Sequence, residues 1–517
     1  MLINASSRRI EILQSLEKTT YDLLIIGGGA TGIGCALEAV LRGLQVLLIE
    51  ARDFGSGAST SSTKLLHGGV RYLESAIRNL DKFQLALVKE ALQERKILLQ
   101  SVDWITRPLP IIIPTTQRYK QWYYYVGLWI YEQLSGKQKL QPPQLLKSQQ
   151  MQELAFVLSK SYRKAGVLFY DGQFVDNAYL FTLLLAAQAQ GANFINYLPM
   201  VTWKEPGWVE AQDALSGQLF NIRARYVLNC AGYQADELRR KVQKDCPIKL
   251  HPSQGIHIAV SPQQISLKNG ILLPKTTDGR VIFILPWQDI ILIGTTERNL
   301  EIEEGNLKIT SDEVDFLLYT VNSILDKPIS KRDILGFSIG ARPLIGNSSE
   351  KKTQNLVRSH EIENWPSLKW ANVMGGKWTT FRKMAQEAID LVFKELDIPF
   401  VSSSSARLRL TAFIPKPYLQ NTSIYPTPME EIILSENNSS AYLEEIKYWM
   451  DFTQASTPED ILERRLMLTL RNIDKAQQLC HLLLKNMNML DPSNQSWRTN
   501  QTLLFEKKLN YYQQLKN

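Results

Sequence analysis

Four residues near the start of the chain have the types and spacing of a nucleotide site. Gly27, Gly29 and Gly32 follow the pattern G-x-G-x-x-G. In this pattern the first glycine allows a tight turn, the second admits a pyrophosphate to the backbone, and the third permits close packing. Glu50 follows at the position where a carboxylate accepts hydrogen bonds from a ribose. The set predicts a dinucleotide site, and the plain alternative is a glycine-rich turn in an ordinary α/β domain.

The elements that must position these residues surround them in the sequence. Leu23 to Ile26 and Gln45 to Ile49 are short apolar runs typical of buried strands. Between them, Ile33 to Arg42 has the pattern of a helix, and Gly43 ends it. A helix in this position directs its N-terminal amides and the positive end of its dipole at the phosphates. We therefore predict a βαβ unit that binds a nucleotide.

A loop rich in glycine, serine and threonine runs from Asp53 to Glu74, directly after the second strand. Its hydroxyls and amides, together with Lys64, His67 and Arg71, are suited to hydrogen-bond a flavin or phosphate oxygens. Small polar residues also make plain linkers, so the loop by itself leaves both interpretations open.

Two later segments contain small residues that would let backbone approach a nucleotide or an anion. Tyr226 to Gly232, YVLNCAG, predicts a buried strand whose end brings backbone to the nucleotide a second time. Val373 to Arg382, VMGGKWTTFR, places two glycines before Lys377 at a helix start. This turn predicts an anion site for a flavin carbonyl or a phosphate, or else a plain helix cap. A nucleotide domain interrupted in this way favours a flavin enzyme, because a nicotinamide domain completes its sheet locally.

Composition sets broader limits. The 517 residues predict two or three domains, and 44% hydrophobic with 21% charged residues is typical of a globular protein. Lys and Arg outnumber Asp and Glu by 59 to 51, which suggests an anionic substrate or an anionic membrane surface, or simply a mildly basic exterior. No polybasic tail of the kind that binds nucleic acid is present. The four cysteines have neither C-x-x-C nor metal spacing, so we predict reduced thiols and no metal.

One segment is unusually aromatic. Trp122 to Tyr131 is flanked by Arg118, Lys120, Lys137 and Lys139, a pattern that predicts an interfacial membrane anchor, although aromatic stripes also occur in cores. The segment is too short to span a bilayer, and no secretory signal is visible in the first twenty residues.

The rest of the chain divides by pattern. A β-rich middle runs from about residue 192 to 345 and includes SIGARPL, which holds Arg342 between small residues and a proline. Ala441 to Leu490 has a helical pattern, whereas the polar segment after Pro492 carries no interpretable pattern.

The sequence resembles the FAD-dependent, membrane-associated glycerol-3-phosphate dehydrogenases. The matching segments are GGGATG at 27–32, TSSTKLLHGGVRYLE at 60–74, WYYYVGLWIYEQL at 122–134, DGRVIFILPWQ at 278–288, LIGTTE at 292–297, GARPL at 340–344, GGKWTTFRKMAQEA at 375–388 and STPEDILERR at 456–465. Two features depart from the family: Gln254 stands where many bacterial members have a basic residue, and the region between Lys377 and Glu459 looks short.

The resemblance implies a fold of the α/β and α+β class. It consists of an interrupted Rossmann-like FAD-binding domain, a β-rich substrate domain and a C-terminal helical region. The predicted ranges are 20–110, 150–235 and 330–395 for the FAD-binding domain, 111–149 and 236–329 for the substrate-binding domain, and 400–517 for the helical region.

The resemblance also implies roles for individual residues. The expected FAD-binding residues are Gly27, Gly29, Gly32, Glu50, Ser61, Ser62, Lys64, His67, Gly232, Gly376, Thr379 and Thr380. The expected substrate-binding residues are Arg71, Tyr72, Arg342, Arg358 and Lys377. Arg342 and Lys377 would also steady the developing alkoxide, and either His257 or His67 would act as the general base.

The activity implied is oxidation of glycerol 3-phosphate to dihydroxyacetone phosphate, with electrons passed from FAD to a membrane quinone. The expected partners are this substrate, the quinone, a membrane surface bound peripherally and a second copy of the chain in a homodimer, with no nucleic acid. The expected location is cytoplasmic, at the inner face of a membrane, and a mitochondrial location is also open.

Three alternatives share these motifs. A glycerol-3-phosphate oxidase would pass electrons to dioxygen and release hydrogen peroxide. An amino-acid or amine oxidase of the same superfamily would need a carboxylate clamp in place of the phosphate site. A degenerate flavin-binding scaffold would bind FAD without turnover.

Overall fold

The computed structural model describes residues 5–69, 81–136, 139–276, 279–300, 307–346, 360–413 and 440–516. Two β-sheets form its centre, and helices cover them. The α-helices are Ala5–Ser15, Ala30–Leu41, Lys82–Ser101, Arg118–Leu134, Ser148–Leu154, Asp176–Ala189, Ala235–Val242, Ser311–Asn322, Phe381–Glu395, Ser440–Thr453, Leu468–Arg471, Ile473–Leu490 and Gln495–Leu515. A π-helical turn, Asp460–Arg465, precedes the last three.

The first sheet contains the predicted βαβ unit. Its strands lie in the order His360–Trp365, Trp370–Gly375, Leu219–Asn229, Thr20–Ile26, Val46–Ile49 and Asn193–Ile195. All neighbours are parallel except the first pair. Met200–Glu205 and Trp208–Gln212 extend Leu219–Asn229 as an antiparallel ribbon.

The pattern of the strands explains why this sheet is covered on both faces. Val46–Ile49 is buried at every residue, as are the last four residues of Thr20–Ile26. Strands of this kind are apolar on both sides because helices pack on both faces of a parallel sheet. Helix Ala30–Leu41 packs between the sheet and helix Phe381–Glu395, and an added Cβ at Gly34 would lie 2.7 Å from the Phe381 ring.

The second sheet is mixed. Its strands lie in the order Arg298–Asn299, Ser253–Val260, Ile290–Gly294, Ile282–Trp287, Gly270–Leu273, Thr106–Thr115, Ala165–Phe174 and Leu65–Leu66. Ile334–Arg342 also pairs with Ser253–Val260, and Gln144–Lys147 pairs with Ala165–Phe174. The predicted strands in the β-rich middle are therefore present, and most of them belong to this sheet.

Sheet membership and the predicted domain ranges divide the chain differently. Thr106–Thr115, Ala165–Phe174 and Ile334–Arg342 fall within or across the ranges predicted for the FAD-binding domain, yet they pair in the second sheet. The pairing is observed, and the domain ranges stay a prediction.

The last helix lies in a segment whose residue pattern alone indicates no element. Gln495–Leu515 falls within the range 400–517 that the resemblance assigns to a helical region, and it buries Phe505, Leu509 and Tyr512. These apolar residues recur at helical spacing among polar ones, and they join the core around the second sheet.

Candidate active site

The cleft lies at the carboxyl edge of the first sheet and faces the second sheet. Four parallel strands end there, and the residues after each strand line the cleft: Gly27 and Gly29, Glu50, Ala231 and Gly232, and Gly375 to Lys377. Ligands of open parallel sheets bind at this edge. The cavity volume is about 360 Å³, within the range of small-molecule sites.

The glycine motif forms one end of the cleft. Gly27 has a φ of +118°, and an added Cβ would collide with the carbonyl oxygen of Cys230 on the neighbouring strand. An added Cβ on Gly32 would collide with the carbonyl oxygen of Gly27, so this glycine serves packing and does not line the cleft. Gly29 borders the cleft immediately before helix Ala30–Leu41, whose N-terminal end therefore faces the cavity. Close backbone contacts therefore require glycine at positions 27 and 32, and Gly29 borders the cleft.

Glu50 lies at the end of the next parallel strand. Its carboxylate accepts hydrogen bonds from the Gly28 amide at 2.6 Å and the Arg52 amide at 2.9 Å. Burial raises the pKa of Glu50, and these two amide donors oppose that rise. Because each carboxylate oxygen can accept more than one hydrogen bond, the group can still receive ribose hydroxyls.

The Gly–Ser loop, residues Asp53 to Lys64, forms the floor of the cleft. Ser59 accepts a hydrogen bond on Oγ from the amide of Ala30, the first residue of the helix, at 2.9 Å. The Ser59 carbonyl accepts one from the Trp378 indole at 2.8 Å. The loop is therefore fastened to the glycine motif on one side and to the turn around Lys377 on the other. Ser61, Ser62 and Thr63 line the cavity.

Lys64 is placed differently from the expectation that it contacts a flavin. Its ammonium is fully buried and binds both carboxylate oxygens of Asp176 at 2.7 Å and the Thr60 carbonyl at 2.8 Å. Ser62 donates to the same carboxylate from its amide and its hydroxyl. Lys64 does not line the cleft. It fixes the end of the loop through its bonds to the Asp176 carboxylate and the Thr60 carbonyl.

Two of the residues that line the cleft, Arg342 and Lys377, are cationic and are called here its cationic end. Arg342 ends the strand Ile334–Arg342, and its guanidinium donates to the Thr295 hydroxyl at 2.9 Å. An added Cβ on Gly255, on the paired strand, would lie 2.6 Å from this guanidinium, so the glycine makes room for it. Lys377 lines the cleft from the turn that precedes helix Phe381–Glu395. Two cationic side chains from distant segments therefore border one cavity.

His257 lies on the strand Ser253–Val260 beside this cationic end. The Nε2 atom is 3.0 Å from the Thr63 hydroxyl, and Nδ1 is buried without a hydrogen-bond partner among the described residues. Burial, and then the positive charges of Lys64 and Arg342, lower the pKa of His257 well below its ordinary value. The imidazole is therefore neutral at pH 7.

His67 also lines the cleft, and its segment is fixed from two sides. Its amide donates to the Thr379 hydroxyl at 3.1 Å, and the Gly68 amide donates to the Tyr131 hydroxyl at 2.7 Å. Tyr131 in turn donates to the buried Asp171 carboxylate at 3.0 Å.

The structure gathers most of the predicted site residues around one cavity. Those that line it are Gly27, Gly29, Glu50, Ser61, Ser62, His67, Gly232, His257, Arg342, Gly376, Lys377 and Thr379. Gly32, Lys64 and Thr380 do not line it, and Arg71, Tyr72 and Arg358 lie outside the described residues. Gln254 is fully buried and donates to Glu313 and to the Lys308 carbonyl, away from the cleft.

Sequence reasoning missed several contributors. Thr63, Ser59, Gly255 and Trp378 line the cleft. Three of them stand inside segments singled out for their composition or motifs, and Gly255 follows Gln254, the position that departs from the family. Asp176, the partner of Lys64, carries no local signal, because the two residues meet only through the fold.

These residues fit FAD. Gly232 has a φ of +60° and would direct a Cβ into open space, so backbone also borders the cleft after the strand Leu219–Asn229. A helix N-terminus, a carboxylate after the second strand and exposed backbone together match the requirements of a dinucleotide. His257, whose buried Nδ1 has no hydrogen-bond partner among the described residues, lines the same cavity.

Comparisons with known proteins agree with this fit. The model of a family described as FAD dependent oxidoreductase matches residues 22–377. The mitochondrial glycerol-3-phosphate dehydrogenase of Rattus norvegicus is 38% identical over 404 residues, which cover 75% of this chain and 55% of that protein. The Arabidopsis thaliana protein SDP6, of the same description, is 36% identical over 400 residues, with coverages of 75% and 63%. The chain thus spans about half the length of the animal relatives that it matches.

Solved structures with the same fold also bind FAD. The glycerol-3-phosphate dehydrogenase from Bacillus halodurans complexed with FAD has a TM-score of 0.76 at 23% identity, covering 99% of this chain and 98% of that chain. The L-α-glycerophosphate oxidase from Mycoplasma pneumoniae with FAD bound has a TM-score of 0.58 at 16% identity, covering 75% and 97%. These likenesses confirm the predicted fold class, and the first extends through the C-terminal helices. The family model spans most of the chain and its residues form the cleft, so the chain belongs to the family of FAD-dependent oxidoreductases.

Proposed function

We propose that the chain oxidises glycerol 3-phosphate to dihydroxyacetone phosphate and passes the electrons to a membrane quinone. The observation that carries this proposal is the charge of the cleft: Arg342 and Lys377 line the same cavity as the glycine motif. The relatives named glycerol-3-phosphate dehydrogenase support the same substrate.

The cationic end would hold the phosphate. Arg342 offers a planar pair of donors and Lys377 a compact charge, and the two together suit a dianionic group. Arg71, Tyr72 and Arg358 are proposed to complete this site, on the resemblance alone. The same charges would stabilise the alkoxide that develops when the C2 hydroxyl loses its proton.

FAD, when bound, supplies a flavin that accepts a hydride from C2. The protein must then remove the hydroxyl proton. We assign this role to His257, because its imidazole is neutral and lies beside Arg342, and because neutral imidazole is a suitable proton acceptor near pH 7. His67 stays the alternative base, since it lines the same cavity.

Anaerobic reduction of the flavin tests the substrate. Purified holoprotein is mixed with glycerol 3-phosphate without oxygen, and the flavin absorbance near 450 nm is followed. Bleaching at micromolar to millimolar substrate supports the proposal. Flavin that stays oxidised with glycerol 3-phosphate but bleaches with glycine or another amino acid would identify an amino-acid oxidase, and bleaching with neither would identify a flavin-binding scaffold.

The electron acceptor is tested on the reduced enzyme. A soluble quinone analogue is expected to reoxidise the flavin much faster than air-saturated buffer does. Rapid reoxidation by dioxygen with one hydrogen peroxide formed per substrate would instead assign an oxidase. Among the described helices, none is long and apolar enough to cross a membrane.

The helix Arg118–Leu134 supports a peripheral membrane contact. Leu128, Tyr131 and Glu132 are buried against the protein. The side chains that share its exposed face are Tyr119, Trp122, Tyr123, Val126 and Trp129. Aromatic side chains on an amphipathic helix favour the interface of a bilayer, and we propose that this face binds the membrane.

Vesicle sedimentation tests this contact. Replacing Trp122 and Trp129 together by Ser is expected to release the protein from anionic phospholipid vesicles. Replacing Tyr319 by Ser, which removes an exposed tyrosine from another helix, is expected to leave binding unchanged. If the Trp122/Trp129 variant binds the vesicles as well as the Tyr319 variant does, the aromatic face is not the membrane contact. The predicted homodimer is checked by light scattering on the same preparations.

A further inference from the structure

The C-terminal region contacts the Gly–Ser loop at both of its ends. The contacts come from residues 453–467, named here the clasp, which include the π-helical turn Asp460–Arg465. The clasp lies outside residues 22–377, the part of the chain that the family model covers. Its contacts with the loop are polar and buried.

At the first end of the loop, Asp53 is completely buried and binds two arginines of the clasp. Arg464 Nε donates to its carboxylate at 2.6 Å, and Arg465 donates to the carboxylate through Nη1 and, at 2.9 Å, through Nη2. Burial would raise the pKa of Asp53, but the guanidinium groups of Arg465 and Arg464 outweigh it and lower the pKa overall. Asp53 is therefore ionised and depends on the clasp for its compensating charge.

The same end of the loop has a second connection. Tyr197 donates its hydroxyl to the Asp460 carboxylate at 2.6 Å, while its amide donates to the Arg52 carbonyl at 2.9 Å. The next amide, of Leu198, donates to the Glu50 carbonyl at 2.8 Å. Asp460 of the clasp is thus two hydrogen bonds away from the backbone that presents the Glu50 carboxylate.

At the other end of the loop, the clasp reaches the buried pair of Lys64 and Asp176. Met467 Sδ lies 3.7 Å from the Lys64 ammonium. The Arg465 carbonyl accepts a hydrogen bond from the side-chain amide of Asn177 at 2.8 Å. Asn177 follows Asp176 at the start of helix Asp176–Ala189. Arg465 therefore joins the two ends of the loop, by its side chain at Asp53 and by its carbonyl at Asn177.

We infer that the clasp is a positioning element of the FAD site and that Arg465 is its central residue. The residues between Asp53 and Lys64 line the cleft, and the flexible backbone of a loop rich in glycine costs entropy to order. Ser59 and Ser62 fasten the loop at points along its length. The clasp fixes its two ends through buried charges, so the holoprotein retains FAD only as long as these contacts hold the loop.

The test measures FAD release and does not depend on the substrate, so its result is independent of the proposed dehydrogenase activity. Purified holoprotein is diluted, and the fluorescence of released flavin is followed with time. In Arg465→Met, which keeps the length of the side chain and leaves Arg464 on Asp53, release is expected to be about tenfold faster than in the wild type. Arg465→Lys retains a charge without the planar fork, and an intermediate rate is expected.

Arg42→Met is the matched control. Arg42 is buried like Arg465 and pairs with Asp390 and Glu38. Among the described residues it has no hydrogen bond to the loop or to the clasp. Thermal unfolding of both variants separates the two roles. If Arg465→Met and Arg42→Met lose similar unfolding temperature and release FAD at the same rate, the clasp is only structural and the inference is wrong. If Arg465→Met does not fold, the rate for Arg465→Lys decides.

Discussion

Two groups of residues line the cleft and are built by different means. The first group comes from backbone and from residues that are close together in sequence, Gly27 to Glu50. The second group consists of the side chains His257, Arg342 and Lys377, on strands and turns that are far apart in the chain. They are called here the nucleotide end and the substrate end, after the functions proposed for them. The first is a local motif, and the second depends on the whole fold.

This difference has a physical basis. A pyrophosphate is recognised by amides and a helix dipole, which every sequence possesses, so only the glycines that permit the approach must be specified. A phosphorylated alcohol that is to be oxidised must meet particular charges and a base, and these must come from side chains held by separate elements. Substitutions at the two ends should therefore fail in different ways.

The largest effect is expected at the nucleotide end. In Gly32→Ala the added Cβ collides with the Gly27 carbonyl oxygen, and the strain is expected to cost about 3 kcal/mol or more and to abolish FAD retention. The control is Gly127→Ala, in the helix Arg118–Leu134, where an added Cβ meets nothing within 4 Å. That variant should be as stable as the wild type or more stable. Flavin absorbance per protein is the measurement, and a flavin-replete Gly32→Ala protein would contradict the assigned packing role.

The next effect is expected at the substrate end. Arg342→Met removes a charge from the cleft but no backbone feature, so FAD should stay bound. The ratio kcat/KM for glycerol 3-phosphate should fall about a hundredfold, equivalent to about 2.7 kcal/mol. Arg163→Met, which removes an arginine paired with Asp326 far from the cleft, is the control. Loss of flavin from Arg342→Met, or an unchanged kcat/KM, would contradict the assignment of separate roles to the two ends of the cleft.

A smaller effect is expected for Glu50→Gln. The amide group cannot accept from both the Gly28 and Arg52 amides, because it presents a donor to one of them. We expect FAD affinity to fall about tenfold, or about 1.4 kcal/mol, in a titration of the apoprotein. Glu153→Gln, on an exposed helix, should bind FAD as the wild type does. Unchanged FAD affinity in Glu50→Gln, or weaker affinity in Glu153→Gln than in Glu50→Gln, would contradict a role of Glu50 in the nucleotide site.

The smallest expected effect is a pH dependence of stability that originates at the substrate end. The folded pKa of His257 is well below 6.5, so below that pH the unfolded chain binds a proton that the folded chain does not. Stability contributed by the neutral imidazole is therefore lost as the pH falls. At pH 6 the loss should be about 0.8 kcal/mol relative to pH 8. Urea unfolding at both pH values measures it, and His257→Gln should lack this component. An identical pH dependence in the variant would place the titrating group elsewhere.

The sequence by itself predicts the residues of the nucleotide end better than those of the substrate end. The segment Tyr21 to Glu50 could be interpreted residue by residue, because its strand, glycines, helix and acid obey local rules. The substrate residues were expected only through resemblance to a family. Nothing near Lys64 in sequence indicates that its ammonium binds Asp176, since a partner so distant in sequence is set by tertiary packing.

The C-terminal region was the least predictable part. Arg464 and Arg465 stand in an ordinary charged helix pattern, and their burial on Asp53 depends on more than 400 residues of intervening chain. The helix Gln495–Leu515 was overlooked because its apolar residues are few among many polar ones. Such a helix has little tendency to form alone and owes its stability to the face that it buries.

The parallel first sheet also bears on how the protein matures. Its central strand, Thr20–Ile26, pairs on one side with Leu219–Asn229, and that strand pairs with Trp370–Gly375. Contacts at such long sequence separation form slowly, because a large loop must close before they are made. The two strand pairs can both form only after residue 375 has been synthesised. We therefore expect the flavin to bind late in biogenesis, and only to molecules whose distant strands have come together correctly.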